Sequence, residues 1–272
     1  MKWKDIKFMI LKDINLITKQ HIKESLERLG LRIGDTLIVH SSLSSIGWVL
    51  NGELDVIQAL MEIITSEGTI VMPTQTTNLS DPKTWKNPSI PEDFHYIVKK
   101  EMMPYIKEIS LPFRMGRIAE AFRTYPDVVR SEHPHVSVSA WGSLKEYVVS
   151  PHKIDYPFGE NTPFSRLYDL NAKVLLIGVS YSKSTSFHLA DNRCNKKIYI
   201  QDSAPILENG KKIWKLYNDI DTNEKLFDEI GIRFEREFPQ NIRKGTIGNA
   251  TTILFDLKAS VDFAINYLNN FL

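Results

Sequence analysis

The stretch that decides the fold runs from Lys173 to Asp191 and reads KVLLIGVSYSKSTSFHLAD. It opens with an apolar run, Val174 to Ile177, that is closed by Gly178. Such a run is typical of a short strand that is buried on both faces of a parallel sheet. A hydroxyl-rich turn follows, and one of the residues 184 to 186 is expected to cap a helix.

That predicted helix carries His188 and Asp191, three residues apart. Open α/β sheets place their chemistry at the carboxyl ends of buried strands, and this imidazole follows such an end. His188 is therefore the first candidate for a catalytic base. The alternative is a structural role, in which His188 caps the helix or is a half-buried side chain whose hydrogen bonds are made within the protein.

The stretches around this one predict an α/β fold. Residues 17–29 have the apolar spacing of a helix, residues 36–39 form a β-branched strand, residues 53–64 again predict a helix, and residues 69–72 a strand. This β–α–β order favours parallel pairing through a right-handed crossover. We expect one domain over residues 1–272, a three-layer sandwich with a central mainly parallel or mixed sheet.

The remainder of the chain predicts further elements and one irregular segment. Prolines punctuate residues 78–115, which we expect to form a long variable excursion that shapes a pocket, with a helix at 97–106. The other predicted elements are helices at 116–125, 164–170, 226–238 and 257–272, strands at 130–142 and 251–255, and a strand or hairpin at 211–220.

A hydroxyl-rich loop follows the first predicted strand, in the sequence HSSLSSIG from His40 to Gly47. A loop of this kind at a strand's carboxyl end offers hydroxyl and backbone N–H groups to an anionic ligand, for which phosphate is the natural candidate. An ordinary serine-rich turn is the alternative.

A second pair of histidines suggests a different chemistry. His133 and His135 lie two residues apart, so both would face one side of the strand predicted there, a spacing that metal sites use. A metal site needs a third ligand, however, and Pro134 interrupts regular pairing. A metal-dependent hydrolase stays open as an alternative to the histidine-base reading.

Composition limits the partners and the compartment. The 272 residues carry a formal charge of +1, from 34 basic and 33 acidic side chains, which argues for neither a nucleic-acid nor a membrane-surface partner. Cys194 is the single cysteine, which suits a reducing cytoplasm. The apolar segment from Phe8 to Leu11 is too short for a signal peptide, and we expect a cytoplasmic monomer or homodimer.

In order and spacing, the chain resembles the aminoglycoside 3-N-acetyltransferase family, which moves an acetyl group from acetyl-CoA to an amine. No single motif is specific, but together they span roughly residues 30–255. The matching pieces are His40-Ser41-Ser42-Leu43 before Gly47; Met72-Pro73-Thr74; Gly116 with Glu120-Ala121-Phe122-Arg123 and Pro126; Arg130-Ser131 with His133-Pro134, Ser137, Ala140 and Gly142; Asp155-Tyr156 with Gly159 and Thr162-Pro163; Leu176-Ile177-Gly178; His188 with Ala190-Asp191; and, more weakly, Gly245, Gly248 and Ala250.

This resemblance implies roles for individual residues. His188 matches the general base, and Asp191 stands where many members have Glu, at a position expected to face the cationic acceptor. The resemblance also implies residues that hold CoA as co-substrate, with no metal: Ser41, Ser42, Leu43, Ser44 and Thr74, with Arg117 and Ser131 as additions. His133 and Ser137 are expected to be structural.

The chemistry implied is direct transfer to an amino-bearing small molecule. An imidazole in water has a pKa of about 6.5, so a histidine can accept a proton from an attacking amine. Asp191 or another carboxylate would orient the ring, and a backbone N–H or the hydroxyl of Thr185 would stabilise the oxyanion. Arg117 and Arg123 are candidates for the CoA phosphates. A non-catalytic CoA-binding protein of the same fold stays open as a third hypothesis.

Overall fold

We describe the protein from a computed structural model, which covers residues 15–86 and 88–271. The apolar N-terminal segment discussed above, Phe8 to Leu11, lies outside these residues. Within the described part of the chain, no helix has the length and apolarity that a membrane crossing requires.

The strands are β1 (Leu16–Ile17), β2 (Thr36–Ser41), β3 (Trp48–Val49), β4 (Thr69–Pro73), β5 (Val129–Arg130), β6 (Val138–Gly142), β7 (Lys173–Ile177), β8 (Tyr199–Glu208), β9 (Lys211–Ile220), β10 (Ile242–Ile247) and β11 (Ala250–Asp256). The helices are α1 (Lys19–Leu29), α2 (Leu43–Ile46), α3 (Glu53–Ile64), α4 (His95–Glu101), α5 (Gly116–Arg123), α6 (Lys145–Val149), α7 (Pro163–Asp169), α8 (Phe187–Arg193), α9 (Phe227–Glu237) and α10 (Leu257–Phe271).

A seven-stranded sheet with the order β10-β11-β7-β2-β4-β6-β5 forms the centre of the molecule. Strands β7, β2 and β4 are parallel neighbours, whereas the pairs on either side of them are antiparallel. The sheet is therefore mixed, as the sequence allowed. Its three parallel strands form the middle, so their carboxyl ends meet at one edge.

Successive residues of the central strands point into two different cores. Leu37, Leu175 and Ile70 pack on one face with helices α1, α3 and α5, while Ile38 and Val174 pack on the other with α8, α9 and α10. This alternation is what a strand covered on both sides requires. The three-layer α/β sandwich predicted from the sequence is confirmed.

Two sequence-based predictions of local structure are wrong. The helix expected at 97–106 is α4, His95–Glu101, which ends before Pro104 because the residue ahead of a proline is driven out of helical geometry. The strand expected over 130–142 is two strands, β5 and β6, separated by a turn. His133 and His135 lie in that connection and do not share one face of a strand.

Strands β8 and β9 form a separate antiparallel hairpin in which Tyr199 pairs with Ile220 and Glu208 with Lys211. The hairpin approaches the central layers through its inner residues, of which Tyr217 is buried. The irregular segment, residues 78–115, contacts this hairpin, since the Tyr105 N–H donates to the Pro205 carbonyl at 2.8 Å. These two segments cover the side of the molecule where the parallel strands end.

Candidate active site

A cleft of about 830 Å³ opens at the carboxyl ends of the parallel strands. Pockets in α/β proteins form at this edge because the chain leaves neighbouring strands in different directions there. The polar and charged side chains that line the cleft are His40, Ser41, Ser42, Ser44, Gln75, Arg114, Arg117, Ser182, Lys183, Thr185, His188 and Glu224.

The serine loop, residues 41–45, forms one side of this cleft and is fixed to β7. The Ser42 N–H donates to the Ile177 carbonyl at 2.9 Å, and the Ser45 hydroxyl lies 3.1 Å from the Gly178 carbonyl. Gly178 has φ +66°, and a Cβ there would lie 2.4 Å from the Cβ of Ser45. The close approach of loop and strand end therefore requires glycine at this position.

His188 lies in the first turn of α8, with its ring held between two aromatic side chains. The ring centroids of Phe158 and Phe227 lie 4.2 Å and 4.9 Å from that of His188. Its neighbours along the helix, Phe187 and Leu189, are fully buried in the core. Packing of α8 thus fixes the position of the imidazole at the cleft.

A carboxylate lies on each side of the His188 ring. Asp191 Oδ2 is 3.4 Å from Nδ1, and Glu224 Oε1 is 3.5 Å from Nε2. Although Asp191 is near, Nδ1 is buried without a hydrogen bond of good geometry among the described residues. The ring therefore lies between two aromatic side chains and has one carboxylate beneath it and one at the cleft.

The structure brings together seven of the ten residues singled out from the sequence. These seven line the cleft: Ser41, Ser42, Leu43, Ser44, Arg117, Thr185 and His188. The other three, Thr74, Ser131 and Asp191, are buried and do not belong to its lining as the structure describes it.

Each of these three residues has contacts elsewhere in the protein. The Thr74 hydroxyl lies 3.1 Å from that of Ser139, between β4 and β6. Ser131 accepts a hydrogen bond from the Val138 N–H, and its hydroxyl is 2.9 Å from His152 Nδ1. Asp191 accepts one from the Asn223 side chain at 3.0 Å.

Of the two arginines considered for phosphate binding, only one is at the cleft. Arg117 has a largely exposed side chain that pairs with Glu53 at 3.0 Å. Arg123 is buried, binds both carboxylate oxygens of Glu120, and also donates to the Glu108 carbonyl. Arg123 is not among the residues that line this cleft.

Sequence reasoning missed several cleft residues, notably His40, Gln75, Lys183 and Glu224. His40 is the last residue before the serine loop and Gln75 follows β4, so both stand at carboxyl ends of parallel strands. Their position at the ends of predicted strands could have indicated them from the sequence. Glu224 could not be found in this way, because the chain returns to the cleft only after the β8–β9 hairpin.

Unpartnered polar atoms are concentrated at this cleft. Among the described residues, five buried side-chain atoms lack a hydrogen-bond partner, and four of them belong to cleft residues: His40 Nε2, Gln75 Nε2, Thr185 Oγ1 and His188 Nδ1. The fifth is Glu53 Oε2, on the carboxylate that pairs with Arg117. Each such group costs about 1–3 kcal/mol of stability. Their concentration in residues that line the cleft singles out this region as the candidate site.

His133, in contrast, has hydrogen-bond partners on both of its ring nitrogens. Its Nδ1 accepts the N–H groups of His135 and Val136, both at 3.1 Å, and its Nε2 lies 3.1 Å from the Ile154 carbonyl. The ring is therefore neutral, with its proton on Nε2. Burial, reinforced by His152, holds the pKa of His133 well below its usual value.

His135 also has both ring nitrogens occupied. Nε2 donates to the Leu79 carbonyl at 2.9 Å, while Nδ1 contacts the Tyr217 hydroxyl and lies 3.3 Å from Asp202 Oδ2. Over residues 15–86 and 88–271 no three His, Cys, Asp or Glu side chains are grouped as a metal site would require. The spacing of His133 and His135 is explained by hydrogen bonds that fix a turn.

Comparison with known proteins identifies relatives over nearly the whole chain. The sequence model described as aminoglycoside 3-N-acetyltransferase matches residues 38–269. The SPbeta prophage-derived aminoglycoside N(3')-acetyltransferase-like protein YokD of Bacillus subtilis is 45% identical over 254 residues, 93% of either chain. Aminoglycoside N(3)-acetyltransferase IX of Micromonospora chalcea is 32% identical over 269 residues, again 93% of either chain.

Solved structures agree with this assignment. The crystal structure of YokD has a TM-score of 0.92 at 44% identity, over 94% of this chain and 95% of that one. AAC-IIIb in a binary complex with CoASH has a TM-score of 0.84 at 25% identity, over 94% and 97%. AAC-VIa bound to sisomicin has a TM-score of 0.82 at 25% identity, over 94% and 98%. The chain belongs to the aminoglycoside 3-N-acetyltransferase family.

Proposed function

We propose that this protein transfers the acetyl group of acetyl-CoA to an amine of an aminoglycoside, or of a related amino-bearing small molecule, with His188 as the general base. For an aminoglycoside, the acceptor is the 3-amino group of the 2-deoxystreptamine ring. The observation that carries the proposal is that His188 and the serine loop line one cleft at the carboxyl ends of the parallel strands.

The donor side of the proposal rests on the serine loop and on nearby cations. Hydroxyl groups of Ser42 and Ser44 face one another at 3.2 Å and can turn towards a ligand. Arg114, Arg117 and Lys183 line the same cleft and suit the phosphates of CoA. AAC-IIIb, which shares this fold, was solved with CoASH bound.

The acceptor side rests on a carboxylate that the sequence did not indicate. Glu224 is two-thirds exposed, lines the cleft and reaches within 3.5 Å of His188 Nε2. An ammonium group of the acceptor would be attracted to this position. Asp191, which the resemblance placed against the acceptor, is 1% exposed. In our proposal its carboxylate acts on Nδ1 of His188 instead.

The reaction needs few groups beyond these. The amine nitrogen attacks the thioester carbon, its proton passes to His188, and the carbonyl π electrons move to the oxygen, where the Thr185 hydroxyl donates. The intermediate then collapses, the C–S bond breaks, and the CoA thiolate takes the proton back from His188 to leave as the thiol, which regenerates the base. A positioned base of this kind contributes typically about 10²- to 10⁴-fold.

No covalent acyl-enzyme is part of this proposal. Cys194 is buried, and its thiol contacts the backbone carbonyls of Asp191 and Lys196. Burial raises the pKa of the Cys194 thiol, which makes the nucleophilic thiolate scarcer. We therefore propose direct transfer from the thioester to the amine.

The test is the change His188→Ala, assayed by release of CoA thiol with a panel of amines and acetyl-CoA, with products identified by mass. We expect kcat to fall at least a hundredfold while calorimetry gives an unchanged Kd for CoA. His188→Gln, which keeps more of the side chain between the two aromatic rings, serves as the packing control and should be equally impaired.

Two results would count against the proposal. Near-normal turnover by His188→Ala would eliminate the base assignment. Tight CoA binding by the unsubstituted protein with no acetylated product from any amine would favour the third hypothesis, a CoA-binding protein that retains the fold without catalysis.

A further inference from the structure

His40 is a second imidazole at the cleft that the reaction described above leaves unused. It lies near the end of β2, directly before the serine loop, and its side chain is 8% exposed. In the sheet His40 is the register partner of Leu176, one residue ahead of the end of β7, the strand that leads towards Thr185 and His188. His40 therefore lines the same cleft as the serine loop and His188.

The hydrogen bonds of His40 are incomplete. Nε2 is sealed from solvent and has no hydrogen-bond partner among the described residues. Burial, reinforced by the neighbouring His188, lowers the pKa of His40 to about 3. The ring is consequently neutral at physiological pH and presents an N–H donor that no protein acceptor engages.

The ligand group that would complete this site is an oxygen that becomes negative during the reaction. The thioester carbonyl must lie where the amine held by His188 can attack it, between that base and the serine loop. A neutral imidazole is a suitable electrophile there, because it donates without transferring its proton to an oxyanion. The Thr185 hydroxyl, also unpartnered, lies at the same cleft.

We propose that His40 is a catalytic residue whose ring N–H, together with the Thr185 hydroxyl, binds the acetyl carbonyl oxygen and stabilises the oxyanion of the tetrahedral intermediate. This inference rests on the proposed acetyl transfer. The amine lone pair forms the new C–N bond, the π pair of the carbonyl moves to oxygen, and both donors keep their protons. When the carbonyl re-forms, the C–S bond breaks and its electron pair leaves on sulfur.

The first experiment compares three substitutions that separate donation from packing. His40→Leu removes the donor but fills the space, whereas His40→Asn and His40→Gln place an amide N–H near the Nδ1 and Nε2 positions. We expect kcat to fall 10²- to 10³-fold in His40→Leu with an unchanged Kd for CoA. At least one of the two amide variants should stay within tenfold of the unsubstituted protein.

Either of two results would overturn the assignment. One is a kcat for His40→Leu within threefold of the unsubstituted protein. The other is a loss as large in both amide variants as in His40→Leu, because a shape-filling role predicts no rescue by an N–H donor. Thermal melting of each variant identifies any that is unfolded, and the folded variants then decide the question.

The second experiment needs no acceptor and so separates this inference from the proposed function. Acetyl-CoA labelled with ¹³C at the carbonyl is bound to the protein, and the carbonyl stretch is measured by difference infrared spectroscopy. We expect a shift to lower wavenumber that His40→Leu abolishes. An equal shift in both proteins refutes the role of His40 while leaving acetyl transfer intact. Failure of acetyl-CoA to bind the unsubstituted protein refutes both.

Discussion

Two groups of histidines in this protein differ in one respect that decides their roles. In the turn between β5 and β6 and beside it, His133, His135 and His152 have protein partners on both ring nitrogens. At the cleft, His40 and His188 each have a buried ring nitrogen without one. The first group holds loops in place, whereas in our proposals the second group acts on the substrates.

Burial alone does not distinguish the two groups of histidines. Burial lowers the pKa of both His40 and His152 to about 3, so both rings are neutral in the folded protein. The neutral His152 ring has a structural role, because its Nε2 donates a hydrogen bond to the Pro157 carbonyl at 2.9 Å. An unsatisfied ring nitrogen costs stability, and such a cost is found mainly where function requires it.

The largest effect on stability is expected from His133→Ala. This change removes the acceptor of two backbone N–H groups and a donor to Ile154, and it leaves a cavity. We expect the free energy of unfolding to fall by about 3–5 kcal/mol, measured by urea denaturation. His40→Ala is the matched control and should cost less, since it breaks no hydrogen bond within the described protein. Equal losses in the two variants would remove the distinction between the groups.

A smaller effect is expected from His40→Leu, as a change in how the free energy of unfolding depends on pH. Because the folded pKa of His40 is about 3 and the unfolded value is about 6.5, only the unfolded chain binds a proton between them. Protonation of His40 in the unfolded chain therefore leaves the free energy of unfolding unchanged well above a pH of about 6.5. It lowers that free energy progressively as the pH falls towards 3.

Between pH 8 and 5 the loss due to His40 amounts to about 2 kcal/mol. His40→Leu should thus lose about 2 kcal/mol less than the unsubstituted protein over this interval, measured by urea denaturation at each pH. At pH 7 the variant should be at least as stable, because leucine leaves no unsatisfied nitrogen. Parallel pH profiles for the two proteins would show that His40 is not held neutral.

The smallest of the three effects is expected from Asp191→Asn. The substitution keeps the shape of the side chain beside Asn223 but removes the charge 3.4 Å from His188 Nδ1. We expect kcat to fall at least tenfold, about 1.4 kcal/mol, with an unchanged KM for acetyl-CoA. Asp191→Glu restores a carboxylate and should recover part of the loss. A kcat for Asp191→Asn within threefold would show that this carboxylate does not orient the base.

Much of the fold could be predicted because local pattern specified it. The apolar run from Val174 to Ile177 and the periodic residues 53–64 are strand and helix in the structure with almost the predicted bounds. The alternation around His133 failed as a signal, since small and β-branched residues alternate in turns as well. There, hydrogen bonds donated by two backbone N–H groups to the His133 side chain fix a turn where the pattern indicated a strand.

Local sequence pattern predicted strands in a mainly parallel or mixed sheet, a serine loop after the first of them and a histidine on a short helix, because hydrophobic period and turn residues act locally. Only the tertiary structure decided which polar groups find partners. Thr74, Ser131 and Asp191 are bonded within the protein, whereas His40 and Glu224 reach the cleft. Satisfaction of a buried hydrogen bond depends on residues far apart in the chain, and no local pattern encodes it.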